Sequence, residues 1–309
     1  MKVLITGGAG YIGTSLLPLL LERGYKVTVF DSLLFGGDQL LPFFKYSNFS
    51  FVKGDIRDLS AITEQCKDKD IVIHLAAIVG FPACRNYPEL AQTTNVDGTK
   101  NIAHAVSKDQ LVLFGSTGSN YGALEDEVCT EDTPLHPLSH YGKTKTAAEQ
   151  YLRENTTCIA HRFATAFGVS PRLRLDLLIN DFTYLAIKQQ YLVVYESHFM
   201  RTFIHVSDIA RSFVFAIDNA DKMKGEVYNV GSEKMNYSKH HICEMIKKET
   251  GTYVHYADVG EDADKRNYVV SYNKINTLGY DTTITVEAGI KELVRALQVI
   301  QVHNRYTNI

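Results

Sequence analysis

Short apolar, β-branched and aromatic runs alternate with amphipathic stretches through the first half of the chain. Val3–Thr6, Val27–Phe30, Phe51–Val52, Ile71–Leu75, Leu111–Phe114 and Cys158–Phe163 are too short for helices and are bounded by Gly, Asp or Ser, so they read as strands. Between them, Tyr11–Glu22, Leu59–Gln65, Pro88–Ser107 and Tyr141–Arg153 read as helices with one apolar face. Strands that recur with helices between them imply βαβ units, and so a doubly wound α/β fold with a parallel sheet covered on both faces. Pro18 falls inside the first predicted helix, where the missing backbone donor should bend or loosen a turn. After Gly168 the rhythm changes, punctuated by Pro171, Arg172 and Arg174. Leu177–Lys188, Ser238–Thr250 and Val286–Val299 read as later helices and Glu226–Gly231 as a further strand. The pattern predicts a first domain over 1–168, rejoined by 204–232, and a smaller substrate-binding lobe over 169–309.

Composition narrows the class. The chain has 309 residues, 45% hydrophobic and 22% charged, near the globular average, which excludes disorder, collagen and coiled coil. No apolar run approaches ~18 residues, so no membrane-spanning helix is expected. A net charge of −3 makes no electrostatic case for nucleic acid or a membrane surface as partner. The cysteines Cys66, Cys84, Cys129, Cys158 and Cys243 never form a C-x-x-C pair, which fits reduced thiols and argues against a zinc site. MKVLIT runs straight into a glycine cluster and leaves no room for a signal peptide, so the expected location is the cytoplasm.

The glycine cluster carries the first chemistry. Thr6-Gly7-Gly8-Ala9-Gly10-Tyr11-Ile12-Gly13 follows a predicted strand and opens a predicted helix. Gly8, Gly10 and Gly13 satisfy G-x-G-x-x-G, and Gly7, Gly10 and Gly13 satisfy G-x-x-G-x-x-G. A tight turn, close backbone approach and the positive end of a helix together suit a pyrophosphate, as in Rossmann-type dinucleotide sites. Asp31, 18 residues after Gly13 and at the end of the second strand, can accept hydrogen bonds from the adenosine ribose. It would repel a 2′-phosphate, so NAD is expected over NADP. Asp55 and Ile56, after the third strand, are candidates to hold the adenine.

Tyr141 and Lys145 lie four apart on one helix face, where a nearby ammonium eases ionisation of the phenol. Tyr184 and Lys188 repeat the spacing, but they follow the irregular segment and read as a surface accident. The loop Gly115-Ser116-Thr117-Gly118-Ser119 favours the first pair, because it follows the fifth strand at the sheet edge where α/β folds bind ligands.

Together these residues resemble the extended short-chain dehydrogenase/reductase superfamily, in its NAD-dependent sugar-nucleotide epimerase/dehydratase branch. The matching pieces include TGGAGYIG, GDIRD, HLAA, NVDGT, STGSNYG, YGKTK, RFATAFG, RTFIHVSD and YNVGS. The resemblance implies Tyr141 as catalytic acid/base, Lys145 as its partner and Thr117 as the catalytic hydroxyl. It implies an NAD site lined by Gly7, Gly10, Tyr11, Ile12, Gly13, Asp31, Ser32, Asp55, Ile56, Leu75, Ala76 and Ala77, with Tyr141 and Lys145. It implies nucleotide-sugar contacts from Ser116, Thr117, Arg172, Asn180, Arg201 and Arg266, with no metal. His74 and His205 read as structural, and Asn95 as a loop contact. Homodimers or homotetramers are expected, packed through the helices of Pro88–Ser107 and Tyr141–Arg153.

Departures from the branch matter too. Its 4,6-dehydratases follow the hydroxyl with Asp-Glu, and its decarboxylases keep a glutamate at the second place; here Gly118-Ser119 stand there. Thr165 replaces the asparagine that many epimerases carry. AAIVGFPAC, RFATAFGVSPRLRLDLLIND and DKRNYVVSYNKINTLGY look like a bacterial subgroup acting on GDP-linked manno-heptoses for capsular polysaccharide. That resemblance implies oxidation at C4 of GDP-D-glycero-D-manno-heptose, with a nucleotide-sugar 4-epimerase as the alternative and a non-catalytic NAD-binding sensor as a remote one.

Overall fold

The computed structural model describes residues 1–260, 267–301 and 306–308, with the side chains of 124–127 left aside. The strands are β1 (Lys2–Thr6), β2 (Lys26–Asp31), β3 (Phe49–Lys53), β4 (Ile71–His74), β5 (Leu111–Thr117), β6 (Ala123–Cys129) and β7 (Thr157–Phe163). They continue with β8 (Thr165–Phe167), β9 (Tyr191–Tyr195), β10 (Met200–His205), β11 (Val227–Val230), β12 (Asn236–Ser238), β13 (Tyr253–Ala257) and β14 (Asn267–Val270). Seven of them form one sheet in the order β11-β7-β5-β4-β1-β2-β3, and every pairing in it is parallel. This is a Rossmann-type α/β fold. The chain order reverses direction between β1 and β4, and a crevice opens there at the carboxyl ends of the strands.

The alternation of strand side chains explains why these runs are apolar throughout. Val3 and Ile5 face one layer with Leu16, Leu20, Ile209 and Phe213, while Leu4 faces the other with Phe30, Ile102 and Leu152. Both faces are covered, so neither can be polar. The helix Tyr11–Glu22 runs unbroken through Pro18, although a bend was expected there. Pro88–Ser107 is not one helix. It divides into Pro88–Gln92, a π turn over Thr93–Asp97, and Gly98–Ala105. Within that π turn the Asn95 amide accepts from the Ile78 N–H at 2.7 Å and donates to the Ile78 carbonyl at 2.9 Å, pinning the loop after β4.

A second core gathers Phe167, Leu173, Leu175, Ile179, Ile242, Ile246, Ile290 and Leu293 under the smaller sheets. β8, β10 and β12 form one of these sheets, β9 pairs with β13, and β6 pairs with β14. Strand β11 lies at the edge of the large sheet beside β7. Tyr268, Tyr272, Ile275 and Tyr280, which the sequence assigns to the second lobe, pack in the first core instead. All five cysteines are free and buried.

Candidate functional site

A cleft of about 680 Å³ lies over the carboxyl ends of β1, β2, β4 and β5. The cofactor candidates line it, as do Ser116, Thr117, Tyr141, Lys145, Arg172 and Arg201. Its first wall is main chain. Gly7 sits at φ +72°, and a Cβ there would lie 2.5 Å from the Ala76 nitrogen. A Cβ on Gly13 would lie 2.5 Å from the Gly8 carbonyl oxygen, so the helix seats directly on the loop. Gly10 caps that helix with no side chain, which leaves the first-turn N–H groups of Tyr11, Ile12 and Gly13 facing the cleft end. The Tyr11 phenol turns away and donates to the Gly168 carbonyl at 2.7 Å.

Asp31 holds this wall in place. Its carboxylate accepts from the Ala9 N–H at 3.0 Å and the Leu33 N–H at 2.8 Å, and burial raises its pKa against those two bonds. Each oxygen keeps a lone pair for a ribose hydroxyl. Asp55 is held by the Arg57 guanidinium at 2.6 Å, which lowers its pKa. Ile56 is buried against Gly98, where a Cβ would lie 2.6 Å from its side chain. A bare helix start, a cradle that a Cβ would fill and a ribose-ready carboxylate together suit a dinucleotide.

The second wall carries the titratable groups. The helix His140–Asn155 starts at Ser139, whose hydroxyl accepts from the Gly142 N–H at 3.0 Å. Tyr141 enters the cleft from its first turn. Lys145, one turn on, is buried with its Nζ 3.9 Å from the Phe114 ring centroid, and it has no hydrogen-bond partner among the described residues. Burial brings its pKa down to about 7, opposed by the Glu149 carboxylate. Glu149 is a buried carboxylate next to this pair that the motifs did not mark. It receives the Arg162 guanidinium at 2.6 Å and the Ser116 hydroxyl at 2.5 Å. Arg162 donates on to the Tyr121 hydroxyl at 3.1 Å, and Tyr121 donates to Asn229 at 2.6 Å. The signal for Glu149 was present as a second step of four along the face of Tyr141 and Lys145.

Thr117 ends β5 with its hydroxyl donating to Ser119 Oγ at 3.1 Å and accepting from the Ser119 N–H at 3.1 Å. A Cβ on Gly118 would stand 3.3 Å from the Phe163 carbonyl and from the Tyr268 hydroxyl, so that position has little room for a side chain.

The far end of the cleft is lined by charges, Arg174 and Asp176 from an irregular run, Asp181 from the helix Leu178–Gln189 and Arg201 from β10. Arg174 pairs with Asp176 at 2.7 Å, and Asp181 is pushed up to about 6 by burial and by Asp176. All three line the cleft, and no motif marked them. Arg201 is buried and donates to the Met200 carbonyl at 3.1 Å. Asn180 requires correction. Its amide is spent on the Gly168 N–H at 2.9 Å and the Arg174 carbonyl at 2.8 Å, and it does not line the cleft. Arg266 lies outside the described residues. Tyr184 and Lys188 are away from the cleft, and Lys188 is exposed. His74 sits between the hydroxyls of Thr6 and Thr99 at 2.7 and 2.9 Å, and burial drives its pKa down to about 3. His205 pairs with Glu292 at 2.6 Å.

Comparison with known proteins fits this geometry. Residues 3–231 match the family described as NAD dependent epimerase/dehydratase. The chain belongs to that family. It is 30% identical over 307 residues to the low-salt glycan biosynthesis protein Agl12 of Haloferax volcanii, covering 95% of this chain and 97% of that one. It is 28% identical to a dTDP-glucose 4,6-dehydratase of Streptomyces niveus, covering 95% of this chain and 92% of the relative. Among solved structures, the UDP-glucuronic acid 4-epimerase of Bacillus cereus, in complex with UDP-glucuronic acid and NAD, superposes with a TM-score of 0.85. It is 26% identical, covering 96% of this chain and 99% of that one. The cofactor of this family member is NAD.

Proposed function

We propose that this enzyme oxidises C4 of the sugar of a nucleotide-sugar without eliminating water. The observation that carries the reading is the sequence Thr117-Gly118-Ser119 beside Tyr141 and Lys145 in one cleft. Tyr141, as phenolate, takes the proton of the C4 hydroxyl, and Thr117 orients that hydroxyl. Lys145 supplies positive charge near the phenol and holds the nicotinamide ribose. Bound NAD supplies the two-electron acceptor for the hydrogen leaving C4. Elimination across C5–C6 needs an acid and a base after the hydroxyl, and Gly118 and Ser119 bring neither. Arg201 contributes a buried cation for the nucleotide-sugar diphosphate, and the family resemblance offers Arg266 as a further cation.

The resemblance of AAIVGFPAC and RFATAFGVSPRLRLDLLIND to the manno-heptose subgroup makes GDP-D-glycero-D-manno-heptose the first substrate to test, in bacterial capsule synthesis. A 4-epimerase is the second reading, favoured by the likeness to the UDP-glucuronic acid 4-epimerase. The experiment is mass spectrometry of GDP- and UDP-sugars after incubation with enzyme, NAD and a 2-keto acid as acceptor. A product two hydrogens lighter supports the dehydrogenase. Unchanged mass with altered retention supports the epimerase. Loss of one water overturns the argument from Gly118 and Ser119.

A further inference from the structure

The stretch from Gly168 to Asp176 serves both ends of the cleft, and its two arginines have different neighbours. Arg174 belongs with Asp176. Arg172 belongs with the dinucleotide wall. The stretch enters along the first helix turn, where the Ser170 hydroxyl donates to the Tyr11 carbonyl at 2.7 Å and meets Thr14 at 2.9 Å. Two residues later the Arg172 guanidinium lies 4.2 Å from the ring centroid of Phe35, four positions after Asp31. One nitrogen donates to Asn308 at 2.7 Å. The Nε–H is buried with no partner among the described residues. Asp31 and Arg172 are also within electrostatic reach of each other.

A buried guanidinium with an unmet N–H is costly until something completes it. We propose that Arg172 is a cofactor residue: with Asp31 it recognises the adenosine ribose and pyrophosphate of the dinucleotide, and it does not hold the nucleotide-sugar. The inference rests on Asp31 as the ribose carboxylate. It makes the two side chains an opposed couple that sets cofactor choice, because Asp31 repels a 2′-phosphate and Arg172 attracts one. Neutralising Asp31 leaves a cation suited to NADP.

The test is titration of NADH and NADPH by nicotinamide fluorescence, and of GDP and UDP by calorimetry, with thermal melts as a folding check. The proteins are wild type, Arg172→Lys, Arg172→Met, Asp31→Asn and the Asp31→Asn/Arg172→Met double variant. Arg172→Met should weaken NADH at least tenfold and leave GDP and UDP within twofold. Asp31→Asn should tighten NADPH at least tenfold, and the double variant should lose that gain. If Arg172→Met is poorly folded, Arg172→Lys carries the test, because lysine keeps the charge but lacks the Nε–H; NADH should still weaken. Loss of GDP or UDP affinity with NADH unchanged overturns the proposal, as does a variant that shifts only the melt. If Asp31→Asn moves neither NADH nor NADPH, the ribose reading of Asp31 fails. If it moves them and Arg172→Met does not, only the role of Arg172 fails.

Discussion

The two ends of the cleft are built from different materials. At the dinucleotide end the shape is backbone: Gly7 and Gly13 bring main chain within a distance that a Cβ would violate. At the other end the shape is charged side chains, with Arg174 and Asp176 from an irregular run, Asp181 from the helix Leu178–Gln189 and Arg201 from β10. The backbone wall is shaped by close main-chain contacts that do not themselves titrate. The charged wall is adjustable and carries a carboxylate that titrates near pH 6. A site made this way keeps its cofactor constant and lets its substrate vary.

Four measurements would break or sharpen that contrast. Tyr141 stands where the walls meet, so Tyr141→Phe should cut turnover by about 10²–10⁴-fold with the NADH dissociation constant within twofold. Unchanged turnover would remove Tyr141 from the chemistry. Glu149→Ala strands the buried Arg162 and should cost about 3–5 kcal/mol in denaturant unfolding, whereas a surface pair such as Arg23–Asp218 should cost under about 1 kcal/mol. Gly13→Ala should cost about 2–3 kcal/mol and weaken NADH, because the new methyl meets backbone that has nowhere to move. A harmless Gly13→Ala would mean that the backbone wall is soft.

The smallest effect belongs to the charged wall. The folded-state pKa of Asp181 is raised from 3.8 to about 6, so its protonated form favours folding at low pH and that contribution is lost as pH rises through 6. Asp181→Asn should therefore gain stability over wild type, with the gain developing between about pH 4 and 6 and constant above. A pH-independent difference would show that Asp181 is not held neutral by its surroundings.

The same contrast decides what could be read without coordinates. The glycine loop, Asp31, the Tyr141–Lys145 face and the Ser116–Thr117 turn are local patterns at strand ends, and their spacing carries their geometry. Glu149 was legible in principle, as one more step along that face. Arg174 and Asp176 were not, because an irregular run has no period to say which side chains converge, and Asp181 was not, because helical spacing alone does not say which face meets a cleft. Asn180, implied as a nucleotide-sugar contact by the resemblance alone, has its amide spent on Gly168 and Arg174, a use that a family motif does not reveal. The π turn at Thr93–Asp97 escaped because one helical pattern continues on either side of it.

The chain of polar groups from Ser116 through Glu149, Arg162 and Tyr121 to Asn229 joins β5, the helix His140–Asn155, β7 and β11 beneath the Tyr141–Lys145 face. Anyone wishing to graft that pair onto another scaffold would find that the helix alone is not a transferable part. Transplanted without its ladder, the helix would present Glu149 to a foreign interior with neither its cation nor its hydroxyl. The portable unit is one edge of the sheet, three strands wide, together with the helix that it anchors.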